Sequence, residues 1–291
     1  MLLLAAWIGG GGFVSVKYLL DMGYTPYQVI GGRFLVAIIC LCLLYGRKIP
    51  RITKQEWRYG GLLGIFLAFT FLLLTAGLQY TTPSVNAFLC NIQAVIVPFI
   101  CWIAFQKKPA PQVLFAAALT AVGVGMLSIK DSFQLDFGAV LSLGAAVAFS
   151  LQMAFMSSFL ENCDSIHIAL VENGVVALLF VPVLFFTAKG QPSLTLGAAG
   201  SFFYAGAFCT AVYFVLQSIG QRYTSATKTA VIITLESVFA AWISVVLYGE
   251  RLQLKEYLGC AIIFVAVILA EFPLGRSEKR EKAVDKGQGM G

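Results

Sequence analysis

Glu236 lies in the stretch QRYTSATKTAVIITLESVFAAW, Gln221 to Trp242, where nearly every neighbour for three turns is apolar and Lys228 stands two turns before it. A carboxyl in such a run can take up and release a proton, or face a cation or an ammonium group. Placing a charge at the centre of a bilayer costs about 2.5–3.5 kcal/mol on insertion scales, so the residue should turn toward a cavity or a partner. Other chemistry is thinly represented. His167 is the only histidine, H-E-x-x-H is absent, and no serine stands in an obvious relation to His167. Metal hydrolysis and Ser-His catalysis therefore lack their parts. Gly9 to Gly12 is followed by no Gly-Lys-Ser/Thr, so it does not form a phosphate loop. No C-x-x-C pair occurs among the seven cysteines, six of which (Cys40, Cys42, Cys90, Cys101, Cys209 and Cys260) fall in apolar segments as small fillers, with Cys163 in a loop. No enzyme, metal or cofactor is expected.

The elements that would hold Glu236 follow from composition. Of 291 residues, 59% are hydrophobic and 12% charged, with a mean hydropathy of +0.85. That exceeds what a soluble core uses. Runs of bilayer-spanning length recur, and ten helices are expected at about 2–20, 27–45, 58–78, 83–105, 111–129, 137–159, 167–187, 196–218, 225–247 and 254–272. No charge precedes the first run, so it reads as a membrane helix and not as a signal peptide. With the N-terminus inside, fourteen of the twenty basic residues fall on the cytoplasmic side: Arg47, Lys48, Arg51, Lys54, Arg58, Lys107, Lys108, Arg222, Lys228 and, in the tail, Arg276, Lys279, Arg280, Lys282 and Lys286. The rule that cytoplasmic loops are basic thus predicts a multi-pass protein of the cell membrane, N-in and C-in. The net charge of +6 reflects topology and calls for no nucleic acid.

Shifting the chain by 143 residues lays QYTTPSVNAFLCNIQAVIVPFICWIAFQKK, from Gln79, on RYTSATKTAVIITLESVFAAWISVVLYGER, from Arg222, without a gap. Polarity matches along the segment, and Gln93 falls on Glu236. Ser225, Thr229 and Glu236 share a helical face at 3.6 residues per turn, as do Thr82, Asn86 and Gln93. The expected domains are 1–130 and 137–272, each of five helices, with a disordered tail at 273–291 whose basic residues touch anionic lipid. Five is odd, so the second half enters from the opposite face and the repeats are inverted. That is the architecture of alternating-access carriers, with a midplane site between the halves. The expected fold class is all-α integral membrane, ten helices as two inverted five-helix repeats around a central cavity, with Glu236 facing Gln93 across it.

Several motifs in order, WIGGGGFVSVK at Trp7 to Lys17, GGRFLVA at Gly31 to Ala37, GLQYTTPSVNAFL at Gly77 to Leu89 and YGERL at Tyr248 to Leu252, resemble the EamA-type carriers of the drug/metabolite transporter superfamily. The resemblance covers Trp7 to about Glu271. It implies the ten-helix fold, export or exchange of small metabolites such as amino acids, and contact with substrate from the Trp7 motif. The run Trp7-Ile8-Gly9-Gly10 departs from the family's usual Trp-Gly-x-Asn.

Candidates for the substrate or coupling site are Glu236, Gln93, Asn86, Thr229, Lys228, Tyr213, Gln217, Gln152 and Trp7. Tyr213 and Gln217 are four apart on one helix face. Arg33 and Lys17 are structural or gating candidates: Lys17 snorkels to the interface, and Arg33, deeper, should bond carbonyls or an acid. Lys228 is eight residues from Glu236 and too far around the helix for an ion pair. Glu172 and Asn173 read as interface residues, and His167 as a helix-start residue. A carboxyl taken out of water favours its neutral form, so Glu236 could couple transport to protons. The partners are a small-molecule substrate and the bilayer; a lipid or lipid-linked-sugar flippase is the alternative function, and an intramembrane enzyme ranks behind it.

Overall fold

The computed structural model describes residues 1–106, 108–128, 137–186, 192–249 and 254–271. Lys107, Lys130, Lys189, Arg251 and the 273–291 tail lie outside them, as does part of the YGERL motif. The described residues form α1 (Leu2–Asp21), α2 (Pro26–Tyr45), α3 (Lys54–Leu78), α4 (Pro83–Cys90), α5 (Gln93–Phe105), α6 (Pro111–Ser128), α7 (Phe137–Phe159), α8 (Ser165–Phe186), α9 (Leu196–Phe203), α10 (Tyr213–Arg222), α11 (Ala226–Ile233), α12 (Leu235–Tyr248) and α13 (Leu254–Glu271). A 3-10 turn, Gly46–Arg51, follows α2, and a π-helical segment, Tyr204–Val212, joins α9 to α10.

Among the described residues, eight stretches are long and apolar enough to cross a membrane. α4 with α5, α9 through α10, and α11 with α12 each form one such stretch, and Pro111–Gly123 and Tyr257–Leu269 are shorter apolar helices. Boundaries depart from expectation by at most four residues, at the start of α3 and the end of α10.

Local chemistry sets the helix starts. Thr25 with Gln28 and Thr53 with Glu56 form reciprocal capping boxes, while Thr82, Thr195 and Ser225 each accept one backbone N–H of the first turn. Proline opens α2, α4 and α6, where its missing N–H has no partner to lose.

The offset of 143 residues reappears in the backbone. Thr82 caps α4 and Ser225 caps α11; α4 breaks at Asn91 and α11 at Thr234; α5 ends at left-handed Gln106 and α12 at left-handed Gly249. The two breaks meet, with the Asn91 side chain donating to the Thr234 carbonyl at 3.5 Å. At these breaks Ser237 Oγ competes for the helix ladder by donating to Thr234 O at 2.6 Å, and Gln93 Nε2 donates to the Asn91 side chain at 3.2 Å. Packing follows the same correspondence. α3 lies on α7 as α1 lies on the π segment and α10; α4 meets α12 as α5 meets α11; α2 packs on α8, and α6 on α13.

The bundle is apolar outside and partly polar inside. Leu43, Ile103, Leu178 and Phe186 are exposed on the perimeter, whereas Gln93, Gln152, Glu172, Asn173, Thr210, Gln217 and Thr229 are fully buried. This distribution suits a lipid surround, where backbone and polar groups must find partners within the protein.

Candidate functional site

Glu236 opens the first turn of α12, directly after the break at Thr234. It is 7% exposed and lines a central cavity of about 50 Å³ with Arg33, Thr70, Thr75, Tyr213 and Cys209. A water needs at least about 10–15 Å³ of such space, so the cavity admits a few waters and no metabolite.

The wall facing Glu236 is glycine. A Cβ at Gly9 would lie 2.7 Å from Glu236 Oε1, and one at Gly10 would lie 2.6 Å from Phe239 Cβ and 2.9 Å from the Glu236 carbonyl. The glycine run of α1 thus lets that helix rest against α12 and the carboxyl. The Tyr213 hydroxyl lies beside the Glu236 carboxyl and interacts with it, and neither Glu236 Oε1 nor the Tyr213 hydroxyl has another hydrogen-bond partner. Both are polar atoms held at hydrogen-bonding depth with unused capacity.

Arg33 supplies the opposite charge. Its Nε donates to Thr210 Oγ1 at 2.5 Å, its guanidinium donates to the Cys209 carbonyl at 2.6 Å, and its head lies 4.3 Å above the Phe71 ring. Both acceptors belong to the π segment, whose wider turn releases carbonyls from the i→i−4 pattern. Gly206 makes this approach possible, since a Cβ there would sit 2.6 Å from the Arg33 carbonyl. Arg33 is also within electrostatic reach of Glu236, and a cation fixed beside a carboxyl offsets part of its burial cost.

The other candidates lie elsewhere. Gln93 is buried at the α4–α5 break, where it donates to Asn91 Oδ1, and it does not line the cavity. Asn86 donates to the Leu74 carbonyl at 3.2 Å and to Ser142 Oγ at 2.8 Å, which fixes α4 on α3 and α7. Thr229 donates back to the Ser225 carbonyl. Ser225 and Thr82 are helix caps, and the break at Thr234 separates Thr229 from Glu236, so the expected continuous polar stripe is interrupted. Lys228 is half-buried away from the cavity. Trp7 is 54% exposed on the outer face of α1, because the glycines, not the tryptophan, face inward. Lys17 pairs with Asp21 at 3.3 Å and reaches the Leu78 carbonyl at 3.4 Å at the helix end.

Gln152 and Gln217 do come together, away from the cavity and around Glu172, which the sequence places near a helix start. Gln217 Nε2 donates to Gln152 Oε1 at 3.4 Å, and Gln152 Nε2 donates to Glu172 Oε2 at 3.0 Å. Glu172 is fully buried. His167 sits at the start of α8, with Nδ1 2.9 Å from Glu56 Oε1 and its backbone N–H bonded to Asp164 Oδ1. Burial pushes the Asp164 carboxyl up, but the N–H groups of Ile166 and His167 outweigh it, Lys48 adds to them, and the net shift is downward.

Comparison with known proteins agrees with this architecture. The chain matches the EamA-like transporter family over residues 1–129 and again over 136–272. An uncharacterised transporter of Archaeoglobus fulgidus is 30% identical over 92% of this chain and 83% of its own. The uncharacterised inner membrane transporter YicL of Salmonella typhimurium is 23% identical over 92% of each chain. The uncharacterised transporter YyaM of Bacillus subtilis is 21% identical over 90% of this chain and 89% of its own. A crystal structure of a protein 14% identical to this one superposes with a TM-score of 0.70, covering 92% of this chain and 98% of the other, which shows a shared fold. A polar interior inside an apolar perimeter, two successive matches and relatives named as transporters lead to one conclusion: this chain is an integral membrane protein of the EamA-like transporter family.

Proposed function

We propose that the chain is a secondary carrier that exports small metabolites, amino acids or related compounds, by alternating access, with Glu236 carrying a coupling proton. It would use ten membrane spans in two inverted five-helix halves, N-in and C-in, with the substrate site at the cavity between them. The observation that carries this reading is Glu236 itself: a buried carboxyl that lines a cavity beside a buried arginine and the Tyr213 hydroxyl. The cavity's walls come from both halves, α1 to α4 on one side and α7, α10 and α12 on the other. Equal offsets of cap, break and terminus support two halves of like build. Two such halves can exchange conformations and expose the site to either face.

Arg33 and Glu236 together suit a substrate with both a carboxylate and an ammonium group. A proton on Glu236 and the substrate ammonium would then compete for one carboxyl, which is the simplest form of exchange. The test is uptake of a radiolabelled amino-acid panel into proteoliposomes, with and without a pH gradient, for wild type and Glu236→Gln. Loss of gradient-driven uptake in the variant is expected. Wild-type rates with unchanged pH dependence would remove Glu236 from the mechanism.

A flippase reading has one observation in its favour. A groove of about 870 Å³ opens on the side of the bundle between α1, α9 and α12, lined by Ser15, Tyr18, Ser201, Tyr204, Ile243 and Leu247. Tyr204, bonded to the Ile8 carbonyl at 3.2 Å, stands on that wall next to Gly11. Failure of every amino acid to be taken up, with movement of a labelled lipid across the bilayer, would favour this reading.

A further inference from the structure

Among the described residues Glu172 is the one carboxyl with no exposed surface, and the carrier mechanism above does not use it. It lies seven residues into α8, at about 10 Å depth for a rise of 1.5 Å per residue. Gln152, seven residues before the end of α7, and Gln217, five before the end of α10, lie at matching depth from the same face. The amide donors all run one way, from Gln217 to Gln152 to Glu172. Glu172 Oε2 accepts the last of them, and Glu172 Oε1 has no partner. No cation pairs with Glu172 among the described residues. An ionised carboxylate so placed has lost its water without an opposite charge in return, a cost of several kcal/mol. A proton removes that cost and turns one oxygen into a donor.

The neighbours make a path. Tyr213, Gln217 and Gln221 are spaced four apart on one face of α10 and are all buried, and the two glutamines each carry an oxygen with no hydrogen-bond partner. Gln221 stands at the membrane-face end of α10, where its Nε2 reaches Ser157 Oγ and the Met153 carbonyl. Tyr213 stands beside Glu236. Polar groups therefore run from the helix ends, past Glu172, to the cavity carboxyl. The other buried side chains in this stretch of α7, α8 and α10 are apolar, such as Met153, Met156 and Val176, or uncharged and polar, as Ser150, Asn173 and Ser218 are.

We infer that Glu172, with Gln152 and Gln217, is a second proton-binding site, on a polar file along α10 that links one membrane face to Glu236. This rests on the proton-coupled reading of Glu236 for its purpose, though its occupancy can be measured separately. A proton suits the site better than a metal ion, because no group of three or more His, Cys, Asp or Glu that could hold one occurs among the described residues. The file would load Glu172 from its own face of the membrane while Glu236 is closed off.

The experiment needs no known substrate. The full-length protein, reconstituted in lipid, is titrated by infrared difference spectroscopy, which reports the carbonyl stretch of protonated carboxyls. Wild type should show two buried carboxyl bands that disappear as pH rises. Glu172→Gln should lose one band and keep the other, and Glu236→Gln should do the reverse. Glu172→Asp, which keeps a carboxyl on a shorter stem, should restore a titrating band with a moved midpoint. Gln217→Leu should slow the loss of the Glu236 band after a rapid pH jump. A Glu172→Gln spectrum identical to wild type would overturn the site, as would a Glu172 band that responds to sodium and not to pH. If the Glu172 band is present while Glu236→Gln transports normally, the site stands and the Glu236 mechanism falls. If Glu172→Gln does not reconstitute, the aspartate variant decides: no titrating band beyond that of Glu236 would refute the inference.

Discussion

Gly10→Ala tests the packing that closes the cavity. The new methyl would lie 2.6 Å from Phe239 Cβ, 2.9 Å from the Ala240 nitrogen and 2.9 Å from the Glu236 carbonyl. Two of these three contacts are backbone atoms of α12, which cannot rotate away. Carbon atoms rest about 3.5–4.0 Å apart, so α1 must withdraw from α12 by about 1 Å. Overpacking of this kind costs about 1–3 kcal/mol. Alanine also gains about 0.5–1 kcal/mol over glycine inside a helix, and this gain must be separated from the clash. Gly61→Ala serves as the reference: it is interior to α3, and nothing lies within 4 Å of its Cβ position. Both variants share the helix gain, so their difference isolates the clash. Reversible unfolding in SDS, followed by tryptophan fluorescence, should place Gly10→Ala below Gly61→Ala by about 1–3 kcal/mol. Gly10→Ala should also lose transport, because α1 no longer seats on Glu236. Equal stability of the two variants, with transport kept in both, would refute the claim that glycines close this wall.

Arg33→Lys should retain the charge but lose the fork that serves Thr210 and the Cys209 carbonyl, and hydrogen bonds of charged groups are worth about 1.5–3 kcal/mol each. Unfolding measured beside wild type should show that loss, and transport should not be rescued by the lysine. Asp164 contributes stability at neutral pH, because its carboxyl is held below the ordinary range in the folded chain. That contribution should fade as pH falls through the folded value, and Asp164→Asn should flatten this acid limb in a stability–pH series. Gln106 is the only non-glycine with positive φ among the described residues, at 56°. Gln106→Gly should stabilise the chain by about 1 kcal/mol in the same SDS assay, since Gly249 already occupies the matching position.

Much of the candidate site could be read from residue types. Glu236 stood out because a carboxyl in an apolar run is costly, and that same cost places it in the cavity. Arg33 stood out for the same reason, and it bonds a carbonyl. Tyr213 lines the cavity on the α10 face it shares with Gln217. The pattern misled where a helix is apolar on every side, because such a helix has no preferred face to read. The motif points to Trp7 as a substrate contact, whereas Trp7 faces outward and the neighbouring glycines are what touch Glu236. Gln93 and Thr229 shared a helical face with key residues only on the assumption of unbroken helices. The caps could have been found: Thr25 to Gln28 and Thr53 to Glu56 have the spacing of capping boxes.

By itself, the sequence determined that this chain belongs in a bilayer, where its helices begin and end, and that two stretches 143 residues apart are alike. These follow from local quantities: run length, capping residues and charge between runs. Only the tertiary structure decided that the α4 and α11 stretches break where they meet, that a π turn on another helix receives Arg33, and that Glu172 is fully buried beside Gln152. Those outcomes depend on which side chains are brought together by helices 20 to 177 residues apart in the chain, as the Gln152–Glu172 and Arg33–Thr210 bonds show. Local periodicity carries no record of such meetings.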